Sequence, residues 1–257
     1  MGAALLDVIN VSKSFSGLQA LRNVTLSITS GRIHGLIGPN GAGKTTLFNL
    51  ISGMLPPTSG TIRFDGRDIT RLRPHQAARC GIARTYQLVR PFHELNVKEN
   101  IEVGLYFGRR EPLPAHTDAE AEAYRFMDWV GLGHKATESV TALNLGERKR
   151  LEIAKALAAS PRLLLLDEVL AGLNPTETAN AIELLQRIRS ADITIFMIEH
   201  NMQAIMSACE HIFVLHHGEM IGEGSPSQVS ADPKVVEAYL GRKDLKLERR
   251  RRAVSHA

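Results

Sequence analysis

Gly38-Pro39-Asn40-Gly41-Ala42-Gly43-Lys44-Thr45, followed by Thr46, is a run whose residue types and spacing suit a chain of phosphates. It fits the pattern GxxxxGK[ST] between an apolar run (33–37) and a helix-like run (47–51), the context that pattern requires. Glycines let backbone amides turn inward around phosphate oxygens, and a helix beginning at the end of the loop adds partial positive charge. In such a loop Lys44 bridges the β- and γ-phosphates and the Thr45 hydroxyl ligates Mg²⁺. A glycine-rich turn that binds nothing does not explain Lys-Thr placed directly after the last glycine. A second constellation is the run of four leucines, 163–166, ending in Asp167-Glu168. A buried strand would deliver two carboxylates at its tip, Asp167 suited to hold Mg²⁺ through water and Glu168 to orient and deprotonate an attacking water.

The elements needed to position these groups are legible as periodicities. Residues 5–12, 24–28, 33–37 and 60–66 read as strands, the last bounded by glycines. Residues 97–157 become rich in Ala, Glu and Arg at helical spacing, and Pro112 and Pro114 divide them into several helices. Residues 163–166 and 194–198 suit strands buried on both faces, and 176–190 reads as a helix with Ala181, Leu184, Leu185 and Ile188 on one side. Residues 212–222 predict a hairpin turning at His217-Gly218. Alternating strands and helices around a phosphate loop imply an α/β sheet, with the middle helical block as an insertion. No internal repeat is evident.

Composition narrows the classes. With 257 residues and 44% hydrophobic content, the chain can bury one large core, with or without an inserted subdomain. No apolar run approaches the roughly 20 residues of a membrane-spanning helix. The start, Met1-Gly2-Ala3-Ala4-Leu5-Leu6-Asp7, predicts no secretory signal. Cys80 and Cys209, far apart, read as reduced thiols in a cytosolic protein. The net charge of +4 is concentrated in residues 242–252, where seven Lys or Arg face two acids, leaving the remainder near neutral. A solvated tail, contact with anionic headgroups, and nucleic-acid binding are three readings of that segment. The first is preferred, and the last is weakest because the tail has no aromatics for stacking.

A third constellation, Leu143-Asn144-Leu145-Gly146-Glu147 before a helix-like run to Leu157, gives the set a known order. Phosphate loop, Gln87, this segment, Asp167-Glu168 and His200 together resemble the nucleotide-binding subunits of ATP-binding cassette transporters, over residues 11–241. The resemblance implies an α/β P-loop NTPase (RecA-like) core with an N-terminal antiparallel β region and an inserted α-helical subdomain. The division implied is 1–86 and 160–240 for the core, 87–159 for the helical insertion, and 241–257 for the basic tail. It places the 143–147 segment at the family's Leu-Ser-Gly-Gly-Gln signature, which faces the γ-phosphate held by a second subunit, so that Asn144 and Gly146 belong to the ATP site. Asn144 replaces the family Ser, and Glu147 replaces Gln, adding a negative charge near the phosphate. By the same resemblance Gln87 senses Mg²⁺ and the attacking water while touching the membrane partner, and His200 contacts the γ-phosphate. Phe15 stacks on adenine, a core Phe being the alternative. Asn174 stands where many relatives have Asp in the loop linking the two subunits' sites.

The implied activity is ATP hydrolysis with Mg²⁺ by a sandwich of two cassettes beneath integral-membrane permeases, at the inner face of the cell membrane. The runs 167–177, 146–152 and 237–241 are similar to the branched-chain amino acid import group, in which a solute-binding protein feeds the permeases and two different ATPases commonly pair. A lipopolysaccharide-export ATPase has a similar sequence and is the alternative within the family. A soluble cassette acting on ribosomes or DNA usually has two cassettes or large insertions, and no nucleic-acid partner is expected here. A P-loop kinase or GTPase does not need the 143–147 segment, and there is no guanine-reading Asn-Lys-x-Asp.

Overall fold

The computed structural model describes residues 4–86, 91–109, 113–114 and 116–239. Gln87 and the basic tail therefore lie outside the described residues. In chain order the strands are β1 (Ala4–Phe15), β2 (Leu18–Thr29), β3 (Ile33–Ile37), β4 (Ser59–Phe64), β5 (Arg67–Asp68), β6 (Ile82–Arg84), β7 (Leu163–Asp167), β8 (Thr194–Ile198), β9 (His211–His216) and β10 (Glu219–Gly224). The helices are α1 (Lys44–Ile51), α2 (Pro74–Arg79), α3 (Val97–Val103), α4 (Ala119–Trp129), α5 (Leu145–Ala158), α6 (Pro175–Ser190), α7 (Met202–Ala208) and α8 (Pro226–Ala231).

Two sheets result. One is antiparallel in the order β2-β1-β4-β5, and the other runs β10-β9-β3-β8-β7-β6, with β9-β3-β8-β7-β6 parallel and β10 antiparallel to β9. The first two strands are longer than the apolar runs 5–12 and 24–28 predict. They pair with each other along most of their length through several register shifts, so ladder hydrogen bonds extend strand structure into polar sequence that carries no run of its own.

The parallel strands are buried on both faces, and their side chains alternate between two cores. Leu164, Leu166, Ile195 and Met197 join the core packed by the helical block. Leu163, Leu165, Phe196 and Ile198 join the core shared with α1 and the antiparallel sheet. This is the period of two that a continuous apolar strand must have when helices cover one side and another layer the other. The helical block occupies the crossover between the paired strands β6 and β7, where α3, α4 and α5 pack on one another. Among the described residues no helix is long and apolar enough to cross a membrane.

Three of these helices start on the same Asn–Glu pair, and α8 on a Ser225–Gln228 version of it. Asn96, Asn144 and Asn174 cap α3, α5 and α6, each accepting from a backbone amide three residues on, while Glu99, Glu147 and Glu177 return the bond to the cap amide. Each cap is worth about 1 kcal/mol and sets where the helix begins. The predicted hairpin is present as β9–β10, with φ of 48° at His217 and 81° at Gly218. Left-handed backbone at both central residues is the geometry of a tight two-residue turn.

Candidate nucleotide-binding site

The carboxyl ends of β3, β8 and β7 lie side by side, with Leu36 opposite Ile198 and Ile198 opposite Asp167. Chain continuing from these ends carries the phosphate loop, Glu199-His200, and Glu168. That edge is where open parallel sheets bind ligands.

The loop after β3 has a shape only glycine permits at its key points. Gly38 has φ 154°, and a Cβ there would lie 2.0 Å from the Leu215 carbonyl oxygen. Gly43 has φ 105°, and a Cβ would lie 2.7 Å from the Ala20 oxygen. The β9–β10 turn fixes the loop from outside, the Gly218 amide donating to the Ala42 oxygen at 3.0 Å and the Arg22 amide to the Gly218 oxygen at 2.8 Å. Lys44 Nζ donates to the carbonyls of Gly38 (2.7 Å) and Pro39 (2.9 Å). Burial holds the Lys44 amine below its ordinary pKa, against the opposing pull of Glu168 and Asp167. Gly43 caps α1 without a side-chain acceptor, so the helix presents its N-terminal end to whatever the loop holds.

Phe15, residues 40–46, Glu168 and His200 line one open cleft of about 560 Å³. That volume is in the range of small-ligand sites. Phe15 is not a core residue: it is 40% exposed, with the Lys13 ammonium 5.0 Å from its ring centre. Glu168 follows β7 with φ 54°, a left-handed backbone uncommon for a residue with a side chain and characteristic of functional turns. Its Oε1 lies 2.6 Å from His200 Nε2. Asp167 is buried, and its Oδ2 accepts from Arg84 Nη2 at 2.9 Å.

Asn144 and Gly146 are not part of that lining. Asn144 Oδ1 is committed to the Glu147 amide at 2.8 Å, which leaves its Nδ2 group to donate elsewhere. The charge of Glu147 is paired within this chain. Its carboxylate accepts from the Asn144 amide at 2.9 Å and pairs with Lys135 at 3.1 Å. Burial works against its ionisation, but that amide and Lys135 together keep the carboxyl below the usual range. Asn174 likewise serves as a helix cap, accepting from the Glu177 amide at 2.9 Å.

The ABC transporter family model matches residues 21–171, more than half of the chain. The chain belongs to the ABC transporter family. A second model, the branched-chain amino acid ATP-binding cassette transporter, matches residues 219–244 of this ABC ATPase. It is 38% identical to BraF, the high-affinity branched-chain amino acid transport ATP-binding protein of Pseudomonas aeruginosa, and 39% identical to LivG, the corresponding protein of Escherichia coli. Each alignment covers 94% of the ABC chain and 99% of the relative. The lipopolysaccharide export ATP-binding protein LptB of Escherichia coli is 34% identical over 93% of the chain and 98% of that protein. Among solved structures, an ADP conformation of an ATP-binding cassette superimposes with a TM-score of 0.85 at 30% identity, covering 93% of this chain and all of that one. A dimeric cassette in a post-hydrolysis state with ADP and Pi gives 0.78 at 25% identity, covering 86% and 98%. The ABC fold and ATPase activity expected from the sequence are both shown.

Three residues of this ABC ATPase that the motifs did not single out stand beside them. The Arg84 side chain is 6% exposed, bonds Asn49 (2.7 Å) and Ser52 (3.2 Å) of the α1 region as well as Asp167, and lies against the Phe48 and Tyr86 rings. Lys149 and Glu199 are 8% and 2% exposed. Their signals were present: Lys149 shares the helical face of Ile153 and Ala156, and Glu199 continues the alternation of Ile195 and Met197.

Two buried titrating groups make opposite demands on the ABC fold as pH changes. Burial lowers the His34 pKa to about 4, against a hydrogen bond to the Thr29 carbonyl, so acid costs stability as pH falls from 6.5 towards 4. Burial raises the Glu199 carboxyl to about 7, so protonation adds stability as pH falls from 7 towards 4.5. Either effect amounts to about 3 kcal/mol when complete. His34→Gln is expected to shrink the loss of stability between pH 6.5 and 4, and Glu199→Gln to steepen the loss between pH 7 and 4.5. Urea unfolding at several pH values checks both; slopes identical to the unsubstituted chain in both variants would refute the assignment.

Proposed function

We propose that this chain energises a membrane importer for branched-chain amino acids or a related small solute, as one half of a nucleotide-sandwich dimer. The observation carrying this reading is the branched-chain family match at residues 219–244, joined to 38–39% identity with BraF and LivG over nearly their whole length. The lower identity to LptB makes lipopolysaccharide export the lesser reading.

In the proposed reaction the loop of residues 38–45 wraps the phosphates and Lys44 shifts from its own carbonyls to the β- and γ-phosphate oxygens. Phe15 offers the adenine a face. Glu168 accepts a proton from the attacking water, and His200, 2.6 Å from it, holds that carboxylate while facing the γ-phosphate. Thr45 and Asp167, with Gln87, offer an all-oxygen donor set that fits Mg²⁺, whose contribution when bound is to neutralise phosphate charge. Asn144 and Gly146 complete the site of a second cassette. Their separation from this chain's own cleft supports that arrangement.

The division into core (1–86, 160–240), helical insertion (87–159) and basic tail (241–257) fits the same scheme. Exposed Tyr86, Phe92, Tyr106 and Phe107, near Gln87 in sequence or on the neighbouring helical segment, offer apolar surface for an integral-membrane permease. The chain would then sit peripherally at the cytoplasmic face, with a solute-binding protein acting through the permease and no nucleic acid involved.

Affinity purification of the tagged chain from gently solubilised native membranes, followed by mass spectrometry, tests this reading. Two multi-spanning permeases and a second similar ATPase are expected. Recovery of lipopolysaccharide-export components, or of ribosomes without membrane proteins, would replace the importer assignment.

A further inference from the structure

The turn that aims Glu168 is gripped by two buried side chains of opposite charge. Lys149, on the second turn of α5, donates through Nζ to the Glu168 carbonyl at 3.0 Å and to the Ala171 carbonyl. Glu199, at the end of β8, accepts the Leu170 amide at 2.6 Å. The Glu168 amide in turn donates to the Ile198 oxygen at 3.0 Å. Residues 168–171 thus have both terminal carbonyls and an internal amide held from outside the segment, one hand of the grip belonging to α5 and the other to β8.

Packing alone does not account for the charges. The lining around Lys149 is largely apolar, with Ile153, Val169, Leu170 and Leu173 around a cavity of about 120 Å³. A leucine or methionine would fill such a place without the cost of removing an ammonium from water. Burial holds the Lys149 amine below its ordinary pKa, opposed by Glu199 and then Glu168. What a lysine provides there is a long, charged donor reaching two carbonyls. The uncommon left-handed backbone of Glu168 is the conformation this grip maintains.

We infer that Lys149 and Glu199 are positioning residues, which tie the aim of the Glu168 carboxylate to the position of helix α5. This rests on the reading that the start of α5 meets a nucleotide on a second cassette. When α5 is drawn onto that nucleotide, Lys149, about one turn behind Asn144 and Gly146, carries the displacement to the backbone of Glu168. A cassette's own hydrolytic carboxylate then reaches its working position only when its signature helix has engaged the other site. The inference adds a coupling within one chain to the sandwich, in which each chain completes the other's site.

The test uses the full chain with Lys149→Met, Lys149→Arg and Glu199→Gln, measuring steady-state ATP turnover, melting temperature and hydrogen exchange at Leu170. Lys149→Met is expected to lower kcat about 10- to 100-fold, the scale of a misplaced reacting group, with KM held within about twofold. Leu170 exchange should quicken in Lys149→Met and in Glu199→Gln, and Lys149→Arg should recover most of the kcat. A kcat for Lys149→Met within about twofold of the unsubstituted chain, with Leu170 exchange unchanged, overturns the inference. So does loss of kcat that tracks a lowered melting temperature and is not recovered by Lys149→Arg. If Lys149→Met does not fold, Glu199→Gln carries the same readouts. Failure of the unsubstituted chain to turn over ATP, even with the second ATPase recovered with it, counts against the sandwich reading, whereas Leu170 exchange needs no turnover and reports on the grip alone.

Discussion

Replacing Glu168 by glutamine is expected to cut ATP turnover by about 10²- to 10⁴-fold, the span over which a positioned general base contributes. Glutamine keeps the size of the side chain and a polar contact for His200, which lies 2.6 Å from the carboxylate. It removes the carboxylate, the group that takes a proton from the attacking water. Nucleotide affinity should survive, because the phosphate loop, Lys44 and Phe15 are untouched. The expected product is therefore an ATP-bound dimer that forms and does not open. Size-exclusion chromatography with light scattering, in ATP and then in ADP, reads this directly. A variant that binds ATP yet stays monomeric, both alone and mixed with the second ATPase recovered with the chain, would sink the sandwich arrangement while leaving the nucleotide site intact. Normal turnover would remove Glu168 from the reaction.

Lys44→Ala carries the second large effect, and it falls on binding. In this structure the amine is folded onto the carbonyls of Gly38 and Pro39 at 2.7 and 2.9 Å. These bonds brace the loop, and in the proposed reaction they are exchanged for phosphate oxygens. A hydrogen bond to a charged group contributes about 1.5–3 kcal/mol, so affinity for a non-hydrolysable ATP analogue should fall about 10- to 100-fold. Isothermal titration calorimetry measures the loss, and circular dichroism checks that the fold is retained. Alanine costs the helix nothing at the first position of α1, which makes folding of the variant a fair expectation. Unchanged affinity would mean that Lys44 stays on its own loop and that the backbone amides hold the phosphates alone.

These two experiments probe groups that are legible in the sequence alone. Residues 38–45 announce themselves because glycine spacing and a terminal Lys-Thr are local properties, decided by which backbone angles each residue permits. Asp167-Glu168 is visible because four leucines in a row leave a strand no polar face. His200 and the 143–147 segment were different: spacing alone says little about them, and they were found through order along the chain shared with a family. The capping boxes at Asn96, Asn144 and Asn174 are also written locally, as Asn three residues before Glu.

Arg84, Lys149 and Glu199 mark where local reading stops. Each is an ordinary charged residue beside a motif, and its role depends on a partner far along the chain: Asp167 for Arg84, the turn at 168–171 for Lys149, and the Leu170 amide for Glu199. The longer strands, the helix of residues 176–190, the phosphate loop and the carboxylates are written in the sequence, because short-range sterics and side-chain alternation act within a few residues, whereas the short strands β5 and β6 carry no such run. Tertiary structure alone decided that Phe15 stands in a cleft rather than in the core, that Lys135 neutralises Glu147, and that Lys149 grips the turn of Glu168. Those outcomes follow from which elements pack together, and burial makes charge pairing obligatory only after that packing has been chosen.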